Sequence, residues 1–197
     1  VGTQLAIVNP GAVDATVLVS LSDAHGQTTR VPLTLAAGAR RVLDVGAIPA
    51  LAAATFSTVL ESDETVTLER VMFWAEGSAS TVAPAVEVPA TRWYFAAGST
   101  ADPFELFYLV QNPGDTPADV QVRYLLPDGA APLTRAYTVA PRSRATIWVD
   151  RDDPTLAGTD VAAELLSLTG TPIVVERSMY VKSGQPAPAA VHSGAGV

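Results

Sequence analysis

Two histidines, His25 and His192, are the side chains of this sequence best suited to moving protons near neutral pH. His25 sits in Asp23-Ala24-His25-Gly26, a run of turn formers, and His192 in a stretch rich in Pro, Ala and Gly. Neither belongs to a Gly-x-Ser-x-Gly elbow or a His-Glu-x-x-His helix, and no glycine loop has phosphate-cradling spacing. No catalytic centre and no cofactor are expected. Clustered acids are the next candidate, because Asp150, Asp152, Asp153 and Asp160 offer the hard oxygens that calcium takes. Their spacing departs from the EF-hand loop, and the corresponding Val45-Gly46-Ala47-Ile48 carries no acids. A solvated turn accounts for the cluster better than a metal site.

The aromatic residues Trp93, Tyr94, Phe95, Phe104, Phe107 and Tyr108 could line a sugar platform or fill a core. Trp148 stands apart. In Thr146-Ile147-Trp148-Val149-Asp150, Ile147 and Val149 take the inward parity, which leaves Trp148 outward, where its earlier counterpart is Asp44. Trp148, with Trp93 and Tyr94, is the expected ligand or partner contact, and cell-wall polysaccharide is a ligand such a surface would take. Glu69-Arg70 and Glu176-Arg177 also recur, but adjacent strand residues point to opposite faces and cannot form one paired site. Arg177 shares a face with Ile173, Val175 and Met179, so Arg70 and Arg177 read as structural. Each would lay an aliphatic stem over the core edge and bring its guanidinium to a carboxylate or loop carbonyls.

These residues sit on elements of period two. Residues 4–9 read as a strand ended by Asn9-Pro10-Gly11, where Pro sets φ and Gly tolerates a positive one. Further strands are expected at 15–22, 28–35, 40–45, 55–61 and 65–74, with at most one helical turn in 47–54. The second half repeats the order. Asn112 answers Asn9 and Gly129 answers Gly26 at an offset of 103, Arg144 answers Arg40 at 104, and Arg177 answers Arg70 at 107. Alternation is cleanest at 119–124, where Val120, Val122 and Tyr124 share one face. Val17, Val19 and Leu21 are their counterparts, and both sets are expected in cores. The fold expected is all-β: two tandem immunoglobulin-like antiparallel β-sandwich domains related by internal duplication, residues 1–91 and 92–197. The Cys–Trp–Cys pattern of immunoglobulin domains themselves is missing. Residues 75–91 read as an extended connector or edge segment, and 184–197 as its equivalent, a Pro/Ala/Gly tail.

Composition bounds the rest. With a net charge of −8 and a pI near 4.6, the chain repels a phosphate backbone, so nucleic acid is not expected as a partner. Without cysteine there are no disulfides, thiolate metal sites or Cys nucleophile. No apolar run reaches the roughly 18 residues needed to span a bilayer, and Val1 does not begin a signal peptide. One lysine against eleven arginines fits a high-GC bacterial source.

The runs WYFAAGST, LVQNPGDTPADVQVRYLLPDG, APRSRATIWVD and PIVVERSMYV resemble a tandem repeat of large secreted or wall-associated proteins of actinobacteria and related phyla. Residues 92–197 match it throughout and residues 4–74 more loosely. The family has no agreed biochemical function, so the resemblance implies an extracellular or cell-surface β-sandwich strung in arrays. A looser similarity, at the Asn-Pro-Gly turn alone, is to bacterial cell-adhesion modules. The expected role is structural or adhesive, with other copies of the repeat or neighbouring domains of a longer chain as partners. The alternative is a carbohydrate-binding accessory module of a larger secreted enzyme. One asymmetry stands out: Trp93 lies 19 residues before Asn112, and the same spacing back from Asn9 falls ahead of Val1. The first half is therefore expected to lack its first strand, which preceding residues or another copy would supply. The tail after Gly184 is an uncommitted candidate donor.

Overall fold

The computed structural model describes residues 2–23, 25–52, 54–74, 79–181 and 191–196. The chain divides into two compact units, Val1–Ala85 and Val86–Val197. Unit 1 holds β1 (Gly2–Val8), β2 (Ala15–Asp23), β3 (Thr28–Leu35), β4 (Arg40–Asp44), β5 (Phe56–Ser62), β6 (Thr67–Trp74) and β7 (Ala79–Pro84). They form two antiparallel sheets, ordered β4-β1-β6-β7 and β3-β2-β5. On β2 the alternation is plain: Ala15, Val17, Val19 and Leu21 are buried, and with Leu5, Ile7 and Leu35 they make one core. Period-two burial is what a sheet with one wet face produces.

Unit 2 holds β8 (Arg92–Phe95), β9 (Phe104–Asn112), β10 (Ala118–Leu125), β11 (Leu133–Val139), β12 (Ser143–Trp148), β13 (Ala162–Ser167), β14 (Val174–Val181) and β15 (Val191–Ala195). Its sheets are ordered β12-β9-β14-β15 and β11-β10-β13-β8, again antiparallel. A single helical turn, α1 (Val149–Asp152), follows β12. Val120, Val122 and Tyr124 are buried to 1% exposure or less, in a core with Tyr108, Leu165, Ile173 and Val175. Tyr108 packs on Phe95 with ring centroids 5.2 Å apart and lies 6.4 Å from Tyr124. Burial pushes both tyrosine hydroxyls well above the usual phenol range. The fold is all-β, in sandwich-like sheet pairs.

Two segments are more ordered than their composition suggests. Of the two readings of residues 75–91, connector or edge segment, the described part bears out the second: β7 adds to the edge of β6, pairing Arg70 with Ala83 and Val71 with Val82. Within the tail, β15 adds to β14, pairing Ser178 with Ser193 and Met179 with His192. The tail is therefore not the uncommitted donor expected of it: residues 191–195 are already spent on their own sheet. Residues 75–78 and 182–190 lie outside the described residues. The units divide after Ala85 rather than after Thr91. Ala90 exchanges backbone hydrogen bonds of 2.8 and 3.0 Å with Ile173, which ties it to unit 2.

Candidate functional site

The best-built local structures are the two Asn-Pro-Gly turns. Asn9 and Asn112 are fully buried at the ends of their strands. The Asn9 side-chain amide donates to the carbonyls of Val13 (2.7 Å), Leu35 (3.1 Å) and Ala36 (3.3 Å), and its Oδ1 accepts from Gly11 N (2.9 Å). Asn112 does the same with Thr116 (2.8 Å), Val139 (3.1 Å), Ala140 (3.1 Å) and Gly114 N (3.0 Å). A Cβ at Gly11 or Gly114 would come within 3.1 or 3.3 Å of that Oδ1, which explains glycine there. Both amides satisfy buried carbonyls where two strands part, so they are structural groups and not ligand donors. Gly26 and Gly129, with φ of 79° and 71°, close equivalent left-handed turns.

Trp93, read as a contact candidate, is core. It is 5% exposed, and its Nε1 donates to the carbonyls of Ile173 (2.9 Å) and Ala90 (3.2 Å). Tyr94, next along β8, is 46% exposed. Its hydroxyl accepts from Arg92 (3.1 Å), which pairs with Glu164 at 3.0 Å.

Trp148 lies on the outer face of the β9-containing sheet, as its parity implies, but it is half-buried. Its ring sits 5.0 Å from Phe107, which in turn meets Tyr180 edge-on at 5.5 Å. The Arg151 guanidinium lies 5.0 Å over the indole. The Nε1 is turned inward and buried. A sugar platform needs an open ring face and a polar edge at the surface. Here Phe107 and Arg151 press on the ring and the polar edge is hidden.

The aspartates do not converge. Asp152 Oδ2 accepts from Trp148 N at 3.2 Å. Asp153 Oδ1 accepts from the Thr155 hydroxyl (2.6 Å) and its N–H (3.1 Å), and the other oxygen pairs with Arg135. The Thr155 hydroxyl foremost, then its N–H and Arg135, hold the Asp153 carboxyl below the usual range. Asp160 lies apart, bridging Ser99. Among the described residues no group of three acids or histidines is placed to hold a metal. Of the calcium candidate Asp150, Asp152 and Asp153, Asp152 thus accepts from the N–H that opens α1 and Asp153 caps the following turn and pairs with Arg135, while Asp150 Oδ1 is buried without a hydrogen bond among the described residues.

Arg177 faces inward opposite Tyr108 and donates to the carbonyl of Ala97. Arg70 takes the equivalent place opposite Leu5. His25 lies in an exposed turn whose N–H donates to Asp23 (2.8 Å); the His192 side chain lies outside what is described. No sequence pattern pointed to Thr100, which is 2% exposed and whose Oγ1 donates to the Leu156 carbonyl at 2.5 Å. It also accepts from Thr159 N at 3.1 Å and so pins the loop after α1 to the β8–β9 connection. An open groove of about 540 Å³ runs between Gly98, Leu126, Pro127 and Met179, and among the described residues Asp160 is its one titratable lining residue.

No protein-family model matches the chain, and no curated protein matches it. Among solved structures, one titled "Crystal Structure of Thermotoga maritima 1070" is similar over 55% of this chain and 94% of that one. The identity is 16% and the TM-score 0.49. A likeness at that level says nothing of function. No described helix is long and apolar enough to cross a membrane.

Proposed function

We propose that the chain is a non-catalytic structural or adhesive module of a secreted, cell-surface or filamentous assembly, built from two immunoglobulin-like β-sandwiches related by duplication. The observation that carries this reading is the pair of asparagine turns, each binding three carbonyls and one glycine N–H at matching positions. The shared strand orders, with β4, β1, β6 and β7 answering β12, β9, β14 and β15, support it. Repetition of one self-contained unit serves length and multivalency rather than a single site. The resemblance to extracellular tandem repeats agrees. The carbohydrate-binding alternative draws its support from Trp148, whose ring is packed by Phe107 and Arg151 and whose Nε1 is buried.

Force spectroscopy on the whole chain, held at its two ends, tests the proposal. A load-bearing tandem should open in two discrete events that recover on relaxation. Units of 85 and 112 residues would release up to about 28 and 37 nm, at about 3.3 Å per residue. A featureless extension would sink the structural reading. A saturable change in tryptophan fluorescence with cell-wall polysaccharide would move the choice to the carbohydrate-binding one.

A further inference from the structure

In unit 2 the strand β8 lies along β13, with Trp93 opposite Leu165 and Phe95 opposite Ala163. Beneath it the core is closed: Leu165, Ile173 and Val175 have no exposure and Ser167 has 5%. In unit 1, among the described residues, the sheet β3-β2-β5 ends at β5. Register fixes the equivalences. Leu60 pairs with Val19 as Leu165 pairs with Val122, and Ser62 pairs with Val17 as Ser167 pairs with Val120. Through Arg70 and Arg177, Val66 and Leu68 answer Ile173 and Val175. Yet Leu60, Val66 and Leu68 are only half-buried, and Ser62 is exposed. The apolar floor that β8 covers in unit 2 is partly open in unit 1, beside the strand edge at Val59–Ser62.

We propose that this edge receives an extended peptide strand of the Arg-Trp-Tyr kind, antiparallel to β5, with its Trp over Leu60. The inference rests on the module reading above and names its partner. Backbone hydrogen bonds along an edge supply affinity, and side-chain positions supply specificity. Charge agrees with the assignment. In unit 2, Arg92 stands opposite Leu166, and the equivalent of Leu166 in unit 1 is the exposed Glu61, close to Asp63 and Glu64. The arginine that precedes the Trp would meet an acidic strand end. The occupant is a strand from a further repeat, not from a second copy of this chain. The strand of this pattern that the chain carries is buried in unit 2, with the Trp93 N–H already bonded to Ile173.

The test uses the full chain and a fluorescently labelled peptide with the sequence of residues 89–100, PATRWYFAAGST. Saturable binding at one site per chain is expected, with new amide exchange protection at Leu60–Ser62. Replacing the peptide Trp by Ala should weaken binding about tenfold or more. Leu60→Lys in the chain should do likewise. Should Leu60→Lys fail to fold, Glu61→Lys on the exposed face should still weaken binding about threefold, with a salt-dependent on-rate. No saturation up to about 1 mM peptide, protection on some other strand, or indifference to the peptide Trp and to Glu61→Lys would overturn the proposal. Self-association of the chain that blocks the peptide would also overturn it, since a second copy would then hold the edge. A failed peptide titration would leave the force measurement, and so the module reading, standing.

Discussion

The strands β5 and β13 occupy the same place in their sheets, yet the core side chains of β13 are sealed and those of β5 are half-open. Their inward patterns are comparable, with a leucine at the centre of each. The difference lies in the next strand, β8, which brings Trp93 and Phe95 down over β13. Burial in a sandwich is thus a property of the neighbour as much as of the residue. The asparagine turns behave oppositely. Asn9 and Asn112 are equally buried and equally bonded, because their partners all come from the adjoining hairpin and loop. A turn that satisfies itself locally is indifferent to whether the sheet beyond it is complete.

The largest effect should come from a charge in either core. Val122→Asp and Val19→Asp each place a carboxylate where there is at most 1% exposure. The cost of several kcal/mol is comparable to the stability of a small domain. Calorimetry on Val19→Asp should lose one transition and keep the other, and Val122→Asp the reverse. Loss of both transitions from one substitution would mean that the units do not stand alone, and the comparison between them would fail.

The next experiment bears on the difference itself. Leu165→Ala removes a side chain with no exposure and should cost about 2–5 kcal/mol. Leu60→Ala removes one already half in water and should cost about 1–2 kcal/mol. Denaturant midpoints of the two transitions measure both. Equal losses would mean that β8 contributes nothing to the sealing of β13.

Smaller than the Leu165→Ala loss can reach, and equal in the two units, should be the asparagine truncations. Asn9→Ala and Asn112→Ala each orphan buried carbonyls, at about 2–3 kcal/mol. If Asn112→Ala were costly and Asn9→Ala harmless, the turns would not be the equivalent elements their bonds make them.

Much of this framework was legible in the sequence, and the losses have physical causes. Period-two alternation placed 15–22 and 28–35 within a residue of β2 and β3, and it put Val17, Val120 and Val122 on the buried face. Parity also sent Trp148 outward. It could not show Phe107 and Arg151 closing on the ring, because Phe107 reaches it through a pairing 41 residues away in sequence. Trp93 was misread as a contact for the same reason: its cover of Leu165 spans 72 residues. β7 and β15 were obscured by small residues and prolines, which weaken strand propensity although an edge position tolerates them. The aspartates misled through composition alone, since clustered acids cap helices and turns as readily as they bind calcium.

The smallest expected effect is on pH, and it too separates the units. In unit 1, Asp63 is exposed, and its carboxyl is held below the ordinary value of 3.8 by the backbone N–H of Thr16, 2.7 Å away. In unit 2, Asp153 is held below the same value by the Thr155 hydroxyl first, with the Thr155 N–H and Arg135 assisting against the opposing effect of burial. Each native carboxylate binds its proton more weakly than the unfolded chain does. The resulting stability is complete above the unfolded pKa and disappears as pH falls through the lower folded one. Between pH 7 and 5 both transitions should therefore hold steady, and both should fall below about pH 4. Solvent screens the exposed Asp63, whereas Asp153 is 5% exposed and ion-paired, so the unit 2 transition should fall further. Asp153→Asn should lower the unit 2 transition at pH 7 and flatten its acid slope, while Asp63→Asn should barely change unit 1. Scanning calorimetry from pH 7 to 3 on the parent and the two variants makes the comparison. An unaltered acid slope in Asp153→Asn would remove the Thr155 and Arg135 contacts from any account of why the units differ in acid.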